Sequence, residues 1–339
     1  MKILQIMATS GGMGGLEAHT FHLCRALQQA GHEVHLLIDQ RYDDVHAQLE
    51  GVHLHPLNFA QSRWSPFLIF KIFQLIRAIQ PELVHAQGGK ASKLISFLQP
   101  WLKVASVATV HGMKNHVRDY QRFDHLICVS QHVAEKFSYR TGVSVIHNGV
   151  ELPPQQAVAD QATTAERAIA IGRLDPVKGF DRLIQAWQGV DYPLDIIGEG
   201  AEREKLEHLI AQLGLQDRVK LVGFKQAIAD EIRHSSFVIV SSLKEGGPIV
   251  VAEALLLHRP VIATDVGMAK EFIPRAYIAA NADVENLKQL IHTTLAQHSQ
   301  LAHDFEPAYK KAAACLTLQA MCQKTIAVYQ QLELNCVSD

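Results

Sequence analysis

Four clusters along the 339-residue chain combine residue types that bind anions and sugars. The first is Gly11-Gly12-Met13-Gly14-Gly15-Leu16-Glu17, which follows the apolar run ending at Met7. Glycines let a backbone approach a ligand closely, and a helix beginning near Gly14 would aim its N–H groups and positive dipole end into the same space. A phosphate suits such a turn; the competing reading is a tight turn with no ligand. The second cluster is Gly172-Arg173-Leu174-Asp175-Pro176-Val177-Lys178-Gly179. Two cations at one turn suit a diphosphate, Arg173 as a bidentate fork and Lys178 as a mobile point charge. Alone, they also read as two solvated surface cations. The third cluster, Glu245-Gly246-Gly247-Pro248-Ile249-Val250-Val251-Ala252-Glu253-Ala254, sets one carboxylate on the loop before a buried helix and another over its early turns. Either carboxylate can accept hydrogen bonds from sugar hydroxyls, and the helix start between them favours phosphate. Pro248 fits the first helical position. The fourth is His111-Gly112 at the end of the apolar run Val104–Val110. A His there could bond a substrate or shuttle a proton beside it, although a lone His at a strand end is more often structural.

These positions require a scaffold that gathers strand ends. Short apolar runs near 2–8, 34–39, 51–55, 82–86, 104–110, 124–129 and 143–147, then 168–172, 193–198, 218–223, 236–241, 259–264 and 277–280, read as strands. Most of the gaps between them have helical periodicity, the signature of βαβ units and parallel sheets. In such sheets, ligands bind outside the strand C-termini. The run Glu151-Leu152-Pro153-Pro154-Gln155-Gln156 and the polar, Ala-rich stretch to Arg167 break the pattern. This predicts one domain over 1–155, a second over 156–314, and a helix over 315–339 packing back across both.

Length fits two domains, and 48% hydrophobic against 19% charged residues places the chain among globular proteins. No apolar stretch reaches membrane-spanning length, and the N-terminal run is too short for a signal peptide. Five cysteines at spacings that match no metal or redox motif read as small buried hydrophobes in a reducing compartment. Residues 1–150 carry 14 Lys+Arg against 10 Asp+Glu, a charge of +4; residues 151–339 carry 18 against 24, a charge of −6. The first half therefore suits an anionic membrane surface but is too weakly basic for nucleic acid. Two segments could meet such a surface: Trp64–Arg77, which mixes aromatic, aliphatic and cationic residues, and Lys90–Lys103. Both also read as core-facing helices.

The order GGMGGLE at 11–17, TVHG at 109–112, HNGV at 147–150, GRLDPVKG at 172–179, GEG at 198–200, LVGF at 221–224, EGGPIVVAEAL at 245–255 and RPVIATDVG at 259–267 resembles glycosyltransferase family 4 over nearly the whole chain. The seven-residue spacing of Glu245 and Glu253 is its most specific part. The resemblance implies an α/β GT-B fold: two Rossmann-like parallel-sheet domains facing a cleft that closes about a hinge near 150–167, with the C-terminal helix crossing back. It implies transfer of a sugar, with retained configuration, from a nucleoside diphosphate, a UDP-sugar foremost. By position, Arg173 and Lys178 would neutralise the diphosphate in place of a metal, so no cofactor is implied. Glu253 would hold the ribose, and Glu245 with the backbone of Gly246, Gly247, Pro248 and Ile249 would hold the donor sugar. His111 would lie beside that sugar, and Gly14 and Gly15 near the phosphates. Similarity is greatest to bacterial enzymes building lipopolysaccharide core and surface polysaccharides, which implies a lipid-linked or glycan acceptor and a cytoplasmic location, peripheral at the inner membrane face. Gly247, Met268 and Lys270 depart from the family pattern and leave the donor sugar open.

Alternative functions on the same residues are a nucleotide-sugar epimerase and a non-catalytic nucleotide-sugar or glycan-binding protein. A phosphorylase of this fold would need a far longer chain. A nicotinamide-dependent dehydrogenase fails at Glu17, which stands where the dinucleotide fingerprint needs its third glycine.

Overall fold

The computed structural model describes residues 1–9, 12, 14–42, 45, 48–112, 117–152 and 166–337. The chain forms two compact units, Met1–Gly149 with Leu318–Asp339, and Val150–Thr317. The expected break after residue 155 falls outside the described residues.

In the first unit, β1 (Lys2–Met7), β2 (Glu33–Asp39), β3 (His53–Leu57), β4 (Leu83–Gln87), β5 (Ala105–Val110), β6 (His125–Cys128) and β7 (Val143–Val145) form one parallel sheet. Its order is β3-β2-β1-β4-β5-β6-β7. The chain winds outward from β1 to one edge and then returns to the other side, so its direction of winding switches between β1 and β4. Such a switch opens a crevice at the strand C-termini, where ligands bind in sheets of this type. Both faces are covered, which is why both alternations along a strand are largely apolar. Ile3 and Met7 face one cluster with helix α1 (Gly15–Gln29) and the Leu318–Val337 helix. Leu4 and Ile6 face another with helices α2 (Pro66–Ile79) and α3 (Gly88–Leu98). The exceptions are polar. Gln5, His85, Gln87 and Thr109 are all buried, at alternating positions shared with Ile3, Met7, Leu83 and Val107.

In the second unit, β8 (Ala168–Ile171), β9 (Leu194–Ile197), β10 (Val219–Gly223), β11 (Phe237–Val240), β12 (Val261–Thr264) and β13 (Ile278–Ala279) are again parallel, in the order β10-β9-β8-β11-β12-β13. The winding switches between β8 and β11, and the loops after these two strands carry two of the predicted clusters. Arg167, just before β8, binds Asp195 and reaches Glu231 at 2.7 Å, tying the base of the sheet together.

Every expected strand is present, with ends within about two residues of the reading. The C-terminal helix expected from residue 315 begins three residues later, at Leu318. One helix ends at Cys315 and the next starts at Leu318. Between them the Leu316 carbonyl accepts from Val150 N at 2.9 Å, and Thr317 bridges to Val150 as in a parallel sheet. That pairing separates the two helices. No helix among the described residues is long and apolar enough to cross a membrane.

Candidate functional site

The loops around the β8/β11 switch are pressed together by glycines. A Cβ on Gly198 would lie 1.9 Å from the Gly172 carbonyl, and one on Gly179, whose φ is +65°, would lie 2.4 Å from the Ser241 carbonyl. The contact at Gly179 seats the Arg173–Lys178 turn on the loop after β11. Ser241 Oγ donates to the Lys178 carbonyl at 2.8 Å, and Leu243 N to the Val177 carbonyl at 2.8 Å.

Lys178 and Glu245, 67 residues apart in sequence, meet here. Lys178 Nζ donates to Glu245 Oε1 at 2.6 Å, and Ser242 Oγ donates to the same oxygen at 2.9 Å. Both side chains are largely buried, 24% and 17% exposed, so the pair feels more than a surface ion pair would. The ammonium is thus already paired, and any anion bound to it would have to share it with Glu245. Arg173 is not part of this pair. Its Nε donates to Asp175 Oδ2 at 2.7 Å, and its side chain is 77% exposed. Asp175 also caps the turn by accepting from Val177 N at 3.1 Å. Arg173 therefore stands at the rim, where it can swing to a phosphate.

Gly246 and Gly247 lead into the Ile249–Leu256 helix, and Gly267 is packed so that a Cβ there would come 2.7 Å from the Gly246 carbonyl. Pro248 precedes the helix rather than beginning it. Its φ of −64° suits a helix, but its ψ of 116° is extended, and Ile249 is the first helical residue. Glu253 lies on the fifth position of this helix. Burial pushes its carboxyl up to about 7, and among the described residues the carboxylate makes no hydrogen bond or ion pair. A buried carboxylate without a donor is costly, so a donor supplied by a ligand would lower that cost here.

In the first unit, the candidate residues gather at the β1/β4 switch. Gly14 precedes α1 and Gly15 begins it, but the Gly14 N–H already donates to Glu17 Oε2 at 3.1 Å. Tyr42 Oη holds the other Glu17 oxygen at 3.4 Å and donates to the Gly12 carbonyl at 3.2 Å. The helix start is thus occupied by the chain's own carboxylate, which a phosphate would have to displace. Residues 10, 11 and 13 of this loop lie outside the described residues. His111 follows β5, half-buried. Its Nε2 donates to Gln87 Oε1 at 2.8 Å, and its ring meets His19 edge-on, with centroids 4.6 Å apart. Burial pulls the His19 imidazole down to about 4, against an opposing pull from Asn148.

Gln87, Ser242 and the buried polar row behind Gln87 went unread in the sequence. Their one signal was polarity inside runs that a parallel sheet should bury. At the opposite, N-terminal end of the strands, Glu33, His35 and His53 bring possible ligand atoms within 4.8 Å of one another. Lys2 Nζ lies 3.4 Å from that Glu33 carboxylate, and His35 Nδ1 is bonded to His55 at 2.9 Å.

Residues 13–152 match the family model Glycosyltransferase Family 4, and residues 154–312 match Glycosyl transferases group 1. An uncharacterised glycosyltransferase of Methanocaldococcus jannaschii is 26% identical over 310 residues, covering 86% of each chain. The lipopolysaccharide core biosynthesis glycosyltransferase LpsD of Rhizobium meliloti is 27% identical over 273 residues, covering 78% of each. Among solved structures, Anabaena HepE in complex with UDP superposes with a TM-score of 0.81 at 21% identity, over 98% of this chain and 100% of that one. With both halves matched and the GT-B fold shared along its length, the chain belongs to the family 4 glycosyltransferases and is an enzyme of glycosyl transfer.

Proposed function

We propose that the chain moves a hexosyl or N-acetylhexosaminyl group from a UDP-sugar to a lipid-linked or polysaccharide acceptor of lipopolysaccharide or another surface glycan, with retention of configuration. The observation that carries this reading is the pairing of Lys178 with Glu245 at the β8/β11 switch, followed by a helix on which the Glu253 carboxylate has no partner among the described residues. Glu253 accepts the ribose hydroxyls, and Lys178, joined by Arg173, neutralises the diphosphate without need of a metal. Glu245 and the backbone from Gly246 to Ile249 receive the sugar. The complexes of HepE with UDP and with UDP-glucose support UDP as the leaving group, and the naming of LpsD supports the acceptor class. In the transfer, the bond from the anomeric carbon to the phosphate oxygen breaks, the acceptor oxygen bonds that carbon on the same face, and the acceptor proton passes to the departing phosphate.

The acceptor's lipid would be met by the first unit. Trp64, Phe67 and Phe70 are 61%, 58% and 57% exposed, Lys71 lies over the Phe67 ring at 4.5 Å, and Arg63 is exposed beside them. Aromatics interleaved with cations suit the headgroup region of an anionic membrane, which supports a peripheral location at its cytoplasmic face.

Incubation with UDP-glucose, UDP-galactose and UDP-N-acetylglucosamine, read by NMR, tests the reading. It requires UDP release from one of them and a product that keeps the α configuration. An inverted product, or interconversion of sugars without UDP release, overturns it.

A further inference from the structure

Behind His111 runs a buried chain of side-chain hydrogen bonds that reaches the Leu318–Val337 helix. Gln87 accepts from His111 through Oε1 at 2.8 Å and donates through Nε2 to Gln5 Oε1 at 2.9 Å. Gln5 Nε2 donates to Tyr329 Oη at 3.0 Å. Tyr329 Oη and His85 Nδ1 are 2.6 Å apart, and His85 Nε2 and Thr109 Oγ1 are 2.7 Å apart. With the two amides oriented in this way, Tyr329 accepts from Gln5; the Tyr329–His85 and His85–Thr109 bonds run in the direction that the His85 tautomer sets. Register makes the row possible: Gln5 lies opposite His85, and Gln87 opposite Thr109. Gln5, His85, Thr109 and Tyr329 are 0% exposed and Gln87 is 1% exposed, so water does not compete for these bonds. Reversing the direction at Gln87 would require both amides to turn together.

We propose that Gln87 is a positioning residue that holds His111 as its Nε2–H tautomer, with Gln5, Tyr329 and His85 locking Gln87 from behind. The lone pair of the neutral ring is thereby assigned to Nδ1, so any bond His111 makes to a substrate hydroxyl through that nitrogen is one it accepts. His111 then orients a sugar hydroxyl rather than delivering a proton. This inference rests on the reading of His111 as a substrate-facing residue.

The test is tautomer-sensitive long-range 1H–15N NMR on the full chain labelled with 15N-histidine, with His111 assigned by loss of its signal in His111→Gln. The wild type should show His111 protonated on Nε2. Gln87→Leu should populate both tautomers, while Gln87→Glu should keep the Nε2 proton and hold the ring charged to higher pH. The folding control is thermal unfolding of each variant, which should be as cooperative as that of the wild type. With whichever UDP-sugar is turned over, Gln87→Leu should lower kcat on the order of tenfold to a hundredfold with little change in KM. Protonation on Nδ1 in the wild type, or a tautomer unmoved by Gln87→Leu in a protein that unfolds as cooperatively as the wild type, overturns the proposal. If His111→Ala leaves kcat unchanged, the substrate-facing reading fails, whatever the tautomer result.

Discussion

Replacing Glu253 by Gln should make the protein more stable and a poorer binder of its donor. The carboxyl is moved by burial from its ordinary 4.5 to about 7, so ionising it in the folded chain costs about 3 kcal/mol more than in water. The sign follows from proton counting. Between about pH 4.5 and 7 the folded chain keeps a proton that the unfolded chain has released, so stability falls as pH rises through that window. Above pH 7 the penalty is complete. Gln has nearly the same shape and never ionises. At pH 8, Glu253→Gln should therefore gain up to about 3 kcal/mol, or several degrees in the unfolding temperature of a unit this size. At pH 5 the gain should shrink to within about 1 kcal/mol. Binding should move the opposite way. Ribose hydroxyls donate to the ionised form, so UDP affinity in the wild type should rise up to about tenfold per pH unit below 7 and level off above it. In Glu253→Gln it should be roughly tenfold to a hundredfold weaker at pH 8 and keep only the pH dependence that the terminal phosphate of UDP brings. Thermal unfolding and calorimetric titration with UDP at pH 5, 6, 7 and 8 measure both. A variant no more stable at pH 8, or equally stabilised at pH 5 and 8, refutes the idea of an uncompensated buried charge. Unchanged UDP affinity refutes its role in the nucleotide site.

Other residues give independent expectations. Glu245→Gln frees the Lys178 ammonium now bound at 2.6 Å, so UDP should bind about three- to tenfold more tightly, while turnover of the UDP-sugar falls; weaker UDP binding in calorimetry contradicts the assignment. Changing Trp64, Phe67 and Phe70 together to Ser should abolish co-sedimentation with vesicles containing anionic lipid and leave UDP binding intact. Equal sedimentation of variant and wild type places the membrane contact elsewhere.

The strands were legible because a parallel sheet buried on both faces leaves apolar runs that no loop or amphipathic helix imitates. The loop after β8 was legible as a cation pair, yet Arg173 and Lys178 separate: Asp175, two residues on, takes Arg173, and Glu245, distant in sequence, takes Lys178. Sequence spacing carries no information on such a choice. Pro248 fell one residue outside its expected place because its fixed φ serves both the helix and the extended residue before it. In α2, Leu68, Ile72, Ile76 and Ile79 are buried and Phe67 and Phe70 are exposed. Apolar residues cover too much of its surface for periodicity to say which side the core would take. The row from His111 to Tyr329 joins residues as far apart as 324 positions, and the polarity of Gln5, His85 and Gln87 inside apolar strands was its sole trace.

The central claim is that Lys178, in the loop at the β8/β11 switch, holds the diphosphate of a UDP-linked donor. Calorimetric titration of wild type and Lys178→Ala with UDP tests it most directly. Loss of the ammonium, with Glu245 left unpaired beside the phosphate, should weaken UDP about a hundredfold while the variant unfolds as cooperatively as the wild type. UDP binding of equal strength in the two proteins would contradict the account.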